Sequence, residues 1–196
     1  KPGEGYSYVC QTLDMGISYY RLVYARLTGE PFVVAETKNL LIREMTTKDL
    51  PELYAVYSTL EDCRYIEQLY DYDKELEFTK NYIKNMYGFF EYGLWLVFEK
   101  KSGELIGRAG IENREIDGVT CCEIGYLIRR DMQHKGYAYE ACQAILEYAS
   151  DELGIQEMFA VIDKTNEPSR KLAQKLGFEL YAQTDGGPDL YKFVFG

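Results

Sequence analysis

Six consecutive residues, Gln133-His134-Lys135-Gly136-Tyr137-Ala138, have the composition of an anion-binding turn. Gly136 lets the backbone come close to a ligand because it has no Cβ, and Ala138 is small for the same reason. An amphipathic helix leaves the turn at Ala138, carries Cys142, Ile145 and Ala149 on its inner face, and stops at Gly154. The first N–H groups of such a helix lack partners within it, and its N-terminus carries roughly half a positive charge. Lys135 and the Arg129-Arg130 pair add cationic side chains. A diphosphate suits this arrangement. Taken alone, the stretch reads equally well as a solvated strand-to-helix turn.

The elements that position the turn follow from hydrophobic periodicity and turn residues. A strand over Thr120–Ile128 enters it. Upstream, Asn39–Glu44 reads as a strand, Leu50-Pro51 opens a helix to Ser58, and a second helix covers Lys74–Tyr87. Leu94–Phe98, Leu105–Glu112 and Thr120–Ile128 form a meander, with a turn at Asp117-Gly118. Downstream come a strand at Glu157–Ile162, a helix at Pro168–Leu176 ended by Gly177, and a hairpin of Phe178–Gln183 with Leu190–Phe195. From residue 39 the order is β-α-α-β-β-β-α-β-α-β-β, an α/β (α+β) chain. Residues 1–38 carry a helical pattern at Ile17–Leu27 and a short strand signal at Phe32–Ala35, with no chemistry. They read as an N-terminal extension or as the remnant of an upstream domain, with residues 39–196 as the main domain.

Composition narrows the function classes. The chain has 196 residues and a net charge of −10, which argues against nucleic acid or acidic membrane as partner and is compatible with a cationic amine. Nineteen tyrosines against nine phenylalanines suggest that some line a wet groove. The five cysteines are odd in number and form no CxxC, so no disulfide framework is expected and a reducing cytoplasm is. No apolar run reaches the ~20 residues of a membrane span. The one histidine, His134, has no His or Cys cluster beside it, so no metal site is expected. Cys142 falls on an apolar helix face without a partner histidine, and no triphosphate-binding P-loop motif occurs.

Two separated segments together carry a family resemblance. Gln133-x-x-Gly136-x-Ala138 is similar to the Arg/Gln-x-x-Gly-x-Gly/Ala signature of the GNAT superfamily of N-acetyltransferases. Asn166-x-x-Ser169-x-Lys171-Leu172-Ala173-x-Lys175-Leu176-Gly177-Phe178 resembles the second half of that family, nearest its ribosomal-protein (Rim-type) branch. Glu123-x-Gly125-Tyr126-x-Ile128 resembles the fourth strand of that branch. The resemblance spans residues 39–196 and implies the GNAT fold. That fold has a mixed central sheet of about six to seven strands with flanking helices, splayed between its fourth and fifth strands.

The resemblance also implies acetyl transfer from acetyl-coenzyme A to a primary amine, on a protein N-terminus or a small molecule, directly within a ternary complex. Backbone groups of Leu127 and Arg129, with Ile128 between them, are then expected along the pantetheine. N–H groups of Gln133, His134, Lys135, Gly136, Tyr137 and Ala138 are expected at the pyrophosphate, and Asn166 on the far side of the arm or as a helix cap. The amine must lose a proton, and Glu123 is the first candidate base, Glu112 the second, an ordered water the third. The N–H of Leu127 is a candidate donor to the thioester oxygen. Many members have a Tyr where this chain has Ala173, so Ser169 becomes the candidate proton donor to the thiolate. The loop Glu61–Asp73 and the turn Gln183–Asp189, rich in acids with Tyr65, Tyr70 and Tyr72, would flank the acceptor. The absent tyrosine keeps one alternative open, a non-catalytic acyl-coenzyme A-binding module. Monomer and homodimer are both compatible with the sequence.

Overall fold

A computed structural model describes residues 16–61, 64–116 and 118–196. In chain order its elements are α1 (Gly16–Thr28), β1 (Val33–Glu36), β2 (Leu40–Arg43), α2 (Leu50–Ser58), α3 (Tyr72–Tyr82), β3 (Leu94–Glu99), β4 (Leu105–Ile116) and β5 (Val119–Ile128). After these come α4 (Tyr137–Asp151), β6 (Glu157–Ile162), α5 (Glu167–Leu176), β7 (Glu179–Gln183) and β8 (Asp189–Val194). The strands form one open mixed sheet in the order β1-β2-β3-β4-β5-β6-β8-β7. This is the expected fold with eight strands rather than six to seven. The additional strand is β1, which pairs antiparallel with β2.

The helix expected over Lys74–Tyr87 ends earlier as an α-helix. After Tyr82 the chain widens into a π-helical stretch, Ile83–Phe90, closed by Glu91 in the left-handed conformation at φ 62°. The 117–118 turn falls partly outside the described residues, as do Asp62, Cys10 and Cys63.

Alternation along the strands places helices on both faces. On one face Trp95 packs edge-on against Tyr148 of α4, with ring centroids 5.5 Å apart. Ala141, Cys142, Ile145 and Ala149 of α4 are buried there, as the amphipathic pattern required. On the other face Arg108 of β4 reaches Tyr57 of α2, and Leu50, Leu53 and Val56 are buried beneath that helix. Residues 16–36 pack onto the same body. Arg26 of α1 grips both carboxylate oxygens of Glu44 at 2.6 and 2.7 Å and donates to the Tyr87 carbonyl at 2.7 Å.

Candidate functional site at the opening between β5 and β6

The site begins where the sheet comes apart. β4 and β5 pair over ten consecutive positions, from Gly107↔Ile128 to Ile116↔Val119. On its other side β5 meets β6 in parallel at a single position, Glu123↔Phe159. Beyond Glu123 the two strands diverge, and the β6-facing backbone of β5 is left without a strand partner there.

Which groups face that opening is set by register. In an antiparallel ladder the N–H and C=O of one residue point to the same neighbour, and successive residues alternate. The Arg129 N–H donates to the Ile106 carbonyl of β4 at 2.7 Å. The Leu127 carbonyl also points to β4, since a Cβ on Gly107 would run into it. Arg129 and Leu127 therefore spend their backbone groups inside the sheet. The expectation that they line the pantetheine, and that the Leu127 N–H serves the thioester oxygen, is corrected. The groups on the open side belong to Tyr126 and Ile128. The Ile128 carbonyl already accepts from the Gln133 side chain at 2.9 Å, which folds the start of the turn back onto β5.

The turn then delivers the chain to the N-terminus of α4. His134 is left-handed at φ 59° and Gly136 at φ 89°. Gly136 is the N-cap of this 15-residue helix, with no side chain capping it. No protein atom lies within 4 Å of where its Cβ would be. Open N–H groups over a residue without a side chain fit a diphosphate. The basic side chains contribute unequally. Arg129 is held by Asp131 at 2.7 Å and Glu104 at 2.8 Å, and Arg130 pairs with Glu61. The Lys135 ammonium lies 3.2 Å from the Met132 sulfur. The Tyr137 side chain turns away to Glu99, leaving its backbone at the turn.

Glu112 and Glu123 are cross-strand partners on the α2 face of β4 and β5. Like charges placed directly opposite repel, and the structure resolves them differently. Glu123 is buried and accepts from Arg114 Nε at 2.7 Å. Glu112 has no such partner among the described residues and leans over Gly125, where a Cβ would meet its Oε2 at 3.1 Å. Burial pushes the Glu112 carboxyl above its ordinary value. Arg108 opposes the shift, and the neighbouring carboxylates of Glu123 and Glu67 add to it.

Ser169 stands on the other side of the opening. Its N–H donates to the Asn166 side chain at 3.2 Å, so Asn166 caps α5. Its hydroxyl accepts from Tyr126 Oη at 3.0 Å. Burial raises the Tyr126 phenol further above its already high ordinary value, so it stays protonated. The sequence reading gave Tyr126, Arg108 and Arg114 no role. Arg108, Glu112 and Arg114 share one strand face by their even spacing, a signal the period of 2 carries. The Tyr126–Ser169 contact crosses two elements and left no local signal.

The expected acceptor mouth is built in part. Tyr65 shares a hydrogen bond of 2.6 Å with Thr165, tying the loop after α2 to the loop after β6. Glu61, Glu67, Asp71, Asp73, Tyr70 and Tyr72 are exposed around it. The face of Tyr70 is taken by Lys74, 3.8 Å from the ring centroid. Asp189 is buried at the start of β8, with Lys164 3.7 Å away, and so lies off the open rim. Among the described residues no group of three or more His, Cys, Asp or Glu could hold a metal ion, and no helix is long and apolar enough to cross a membrane.

Residues 39–179 match the acetyltransferase (GNAT) domain model, so the chain belongs to the GNAT acetyltransferase family and is an acyltransferase. It is 33% identical over 134 residues to the uncharacterized protein YkkB of Bacillus subtilis, covering 68% of this chain and 72% of that protein. It is 33% identical over 143 residues to the uncharacterized N-acetyltransferase YnaD of the same organism, covering 72% and 79%. Its fold matches that of RimL, a ribosomal L7/L12 alpha-N-protein acetyltransferase, in complex with coenzyme A. The TM-score is 0.66 at 15% identity, covering 83% of this chain and 97% of that one.

Proposed function

We propose that this protein transfers an acetyl group from acetyl-coenzyme A to a primary amine by direct attack in a ternary complex, with residues 39–196 as the catalytic domain. The observation that carries the reading is the opening between β5 and β6, paired at one position and flanked by the turn at Gly136. Acetyl-coenzyme A supplies the activated acyl group as a thioester. The N–H groups of His134–Ala138 hold its diphosphate, while that of Gln133, expected there too, is already given to the Arg130 carbonyl at 3.2 Å. Tyr126 and Ile128 present backbone groups to the pantetheine and to the thioester oxygen.

On the acceptor side, Glu112 is the base. A base must take up a proton, and the Glu112 carboxyl is half-buried, raised and outside any ion pair among the described residues, whereas Glu123 is held by Arg114. Glu123, held in that ion pair, stands opposite Glu112 on the same strand face. As the new N–C bond forms and the C–S bond breaks, the amine proton passes to Glu112. The departing thiolate takes a proton from Ser169, whose hydroxyl is held by Tyr126 and regains its proton from solvent. This pair stands in for the tyrosine that Ala173 replaces.

The test is thiol release from acetyl-coenzyme A across a panel of amines. Turnover on at least one amine is the expected result. Thermal stabilisation by coenzyme A with no turnover on any amine would instead support a non-catalytic acyl-coenzyme A-binding module. No stabilisation would defeat both readings.

A further inference from the structure

Four arginines around the sheet have carboxylate partners among the described residues. Arg26 has Glu44, Arg43 has Asp49, Arg114 has Glu123, and Arg129 has Asp131 and Glu104. Arg108 is buried more deeply than any of them, at 7% exposure, and among the described residues no carboxylate lies within ion-pairing distance of it. Its guanidinium carries five N–H donors. One reaches Tyr57 Oη, at 3.3 Å, and the buried Nε has no acceptor. A buried cation is ordinarily paired, because leaving it unpaired forfeits its hydration without return. Arginine cannot escape by losing its proton.

The position of this charge fits the acceptor. Arg108 lies directly opposite Leu127, next to the Tyr126 backbone at the opening. It shares the α2 face of β4 with Glu112, four residues along, which places their Cα atoms about 13 Å apart along an extended strand. One face thus presents a carboxylate suited to an ammonium and a guanidinium suited to an anion, with no direct bridge between them.

We propose that Arg108 binds a carboxylate carried by the acceptor, so that the acceptor is a small amine with a carboxylate on the same molecule, such as a free amino acid. This rests on the acetyltransferase reading and narrows its substrate class. A singly charged carboxylate is favoured over a phosphate, because Glu112 and Glu123 share the face and the chain carries a net charge of −10. The fork of the guanidinium matches the two oxygens.

The experiment compares kcat/KM by thiol release for amino acids, their carboxamides and the corresponding decarboxylated amines. Hydrogen bonds to a buried charge predict a preference for the carboxylate of roughly ten- to a hundredfold. In Arg108→Met that preference should fall to about one, with the carboxylate substrates losing far more turnover than their carboxamides and the decarboxylated amines. The Tm without ligand should hold or rise, since an unpaired cation is replaced by an apolar chain of similar length. Arg108→Lys, which keeps the charge without the fork, should retain part of the preference, and it serves if Arg108→Met does not fold. Equal turnover of carboxylate and carboxamide by the wild type would overturn the proposal. So would an Arg108→Met variant with lowered Tm and equal loss on all substrates, since Arg108 then only props the tyrosines around it. If no amine turns over at all, the acetyltransferase reading fails separately. Calorimetric titration of N-acetyl amino acids against their amides then decides Arg108: selective binding of the carboxylate form, lost in Arg108→Met, supports it, and any other result overturns it.

Discussion

The two sides of the opening are built from different materials. The side proposed for the coenzyme is backbone: the unpaired edge of β5 at Tyr126 and Ile128, and the N–H groups from His134 into α4. The side proposed for the acceptor is side chains: Glu112, Glu123 and Arg108 on one strand face, with Tyr126 and Ser169 across the gap. Backbone sites are fixed by register and by where a glycine permits a left-handed turn, so they tolerate most side-chain changes. Side-chain sites depend on which charge finds which partner. In this molecule two neighbouring carboxylates came out differently because Arg114 took one of them.

That contrast can be broken most sharply at Glu112. Glu112→Gln should lower kcat by about two to four orders of magnitude, the usual worth of a positioned base, with coenzyme A affinity unchanged. Glu123→Gln should cost less. If the two losses come out reversed, the roles of the pair are reversed as well. The same carboxyl links activity to pH. Because burial raises its folded-state pKa, its contribution to stability is present at low pH and lost as pH rises through that raised value. Activity should move the opposite way, with an acid limb above the ordinary carboxylate range. Both dependences should flatten in Glu112→Gln, which pH–rate and pH–Tm profiles would check.

On the backbone side, Gly136→Asp combines a left-handed strain at φ 89° with a negative charge where the diphosphate is proposed to lie. Coenzyme A affinity should fall roughly a hundredfold by calorimetry, with a smaller effect on the fold, since no protein atom crowds that position. Tyr126→Phe removes the hydroxyl that bonds Ser169 and should lower kcat about tenfold without changing coenzyme affinity. The smallest effect is expected at Asn166→Ala. Losing the cap of α5 should cost about 1 kcal/mol, visible as a shift in the denaturant midpoint.

The same division explains what the sequence disclosed. The order of elements along the chain, the turn at Gly136, the buried face of α4 and the cap at Asn166 depend on local spacing, and each was readable. The Phe32–Ala35 strand signal was readable too, though its place as an eighth strand depends on pairing with β2. What was not readable is non-local. The ladder with β4 decides which of Tyr126, Leu127, Ile128 and Arg129 faces the opening, and a one-residue change of register would exchange them. The pairing of Arg114 with Glu123, and its absence at Arg108, is likewise decided across strands. Arg129 and Arg130 looked like charge for the phosphate turn, yet they answer to Glu104, Asp131 and Glu61.

On this proposal the unpaired edge of β5 receives the coenzyme through Tyr126 and Ile128. Amide hydrogen exchange, followed residue by residue by NMR with and without saturating coenzyme A, tests it directly. Protection should rise at the Tyr126 and Ile128 N–H groups and across His134–Ala138, while Leu127 and Arg129, already bonded to β4, and Gln133, already bonded to Arg130, change little. Protection gained at Leu127 and Arg129 instead, or no change along β5 at full occupancy, would contradict it.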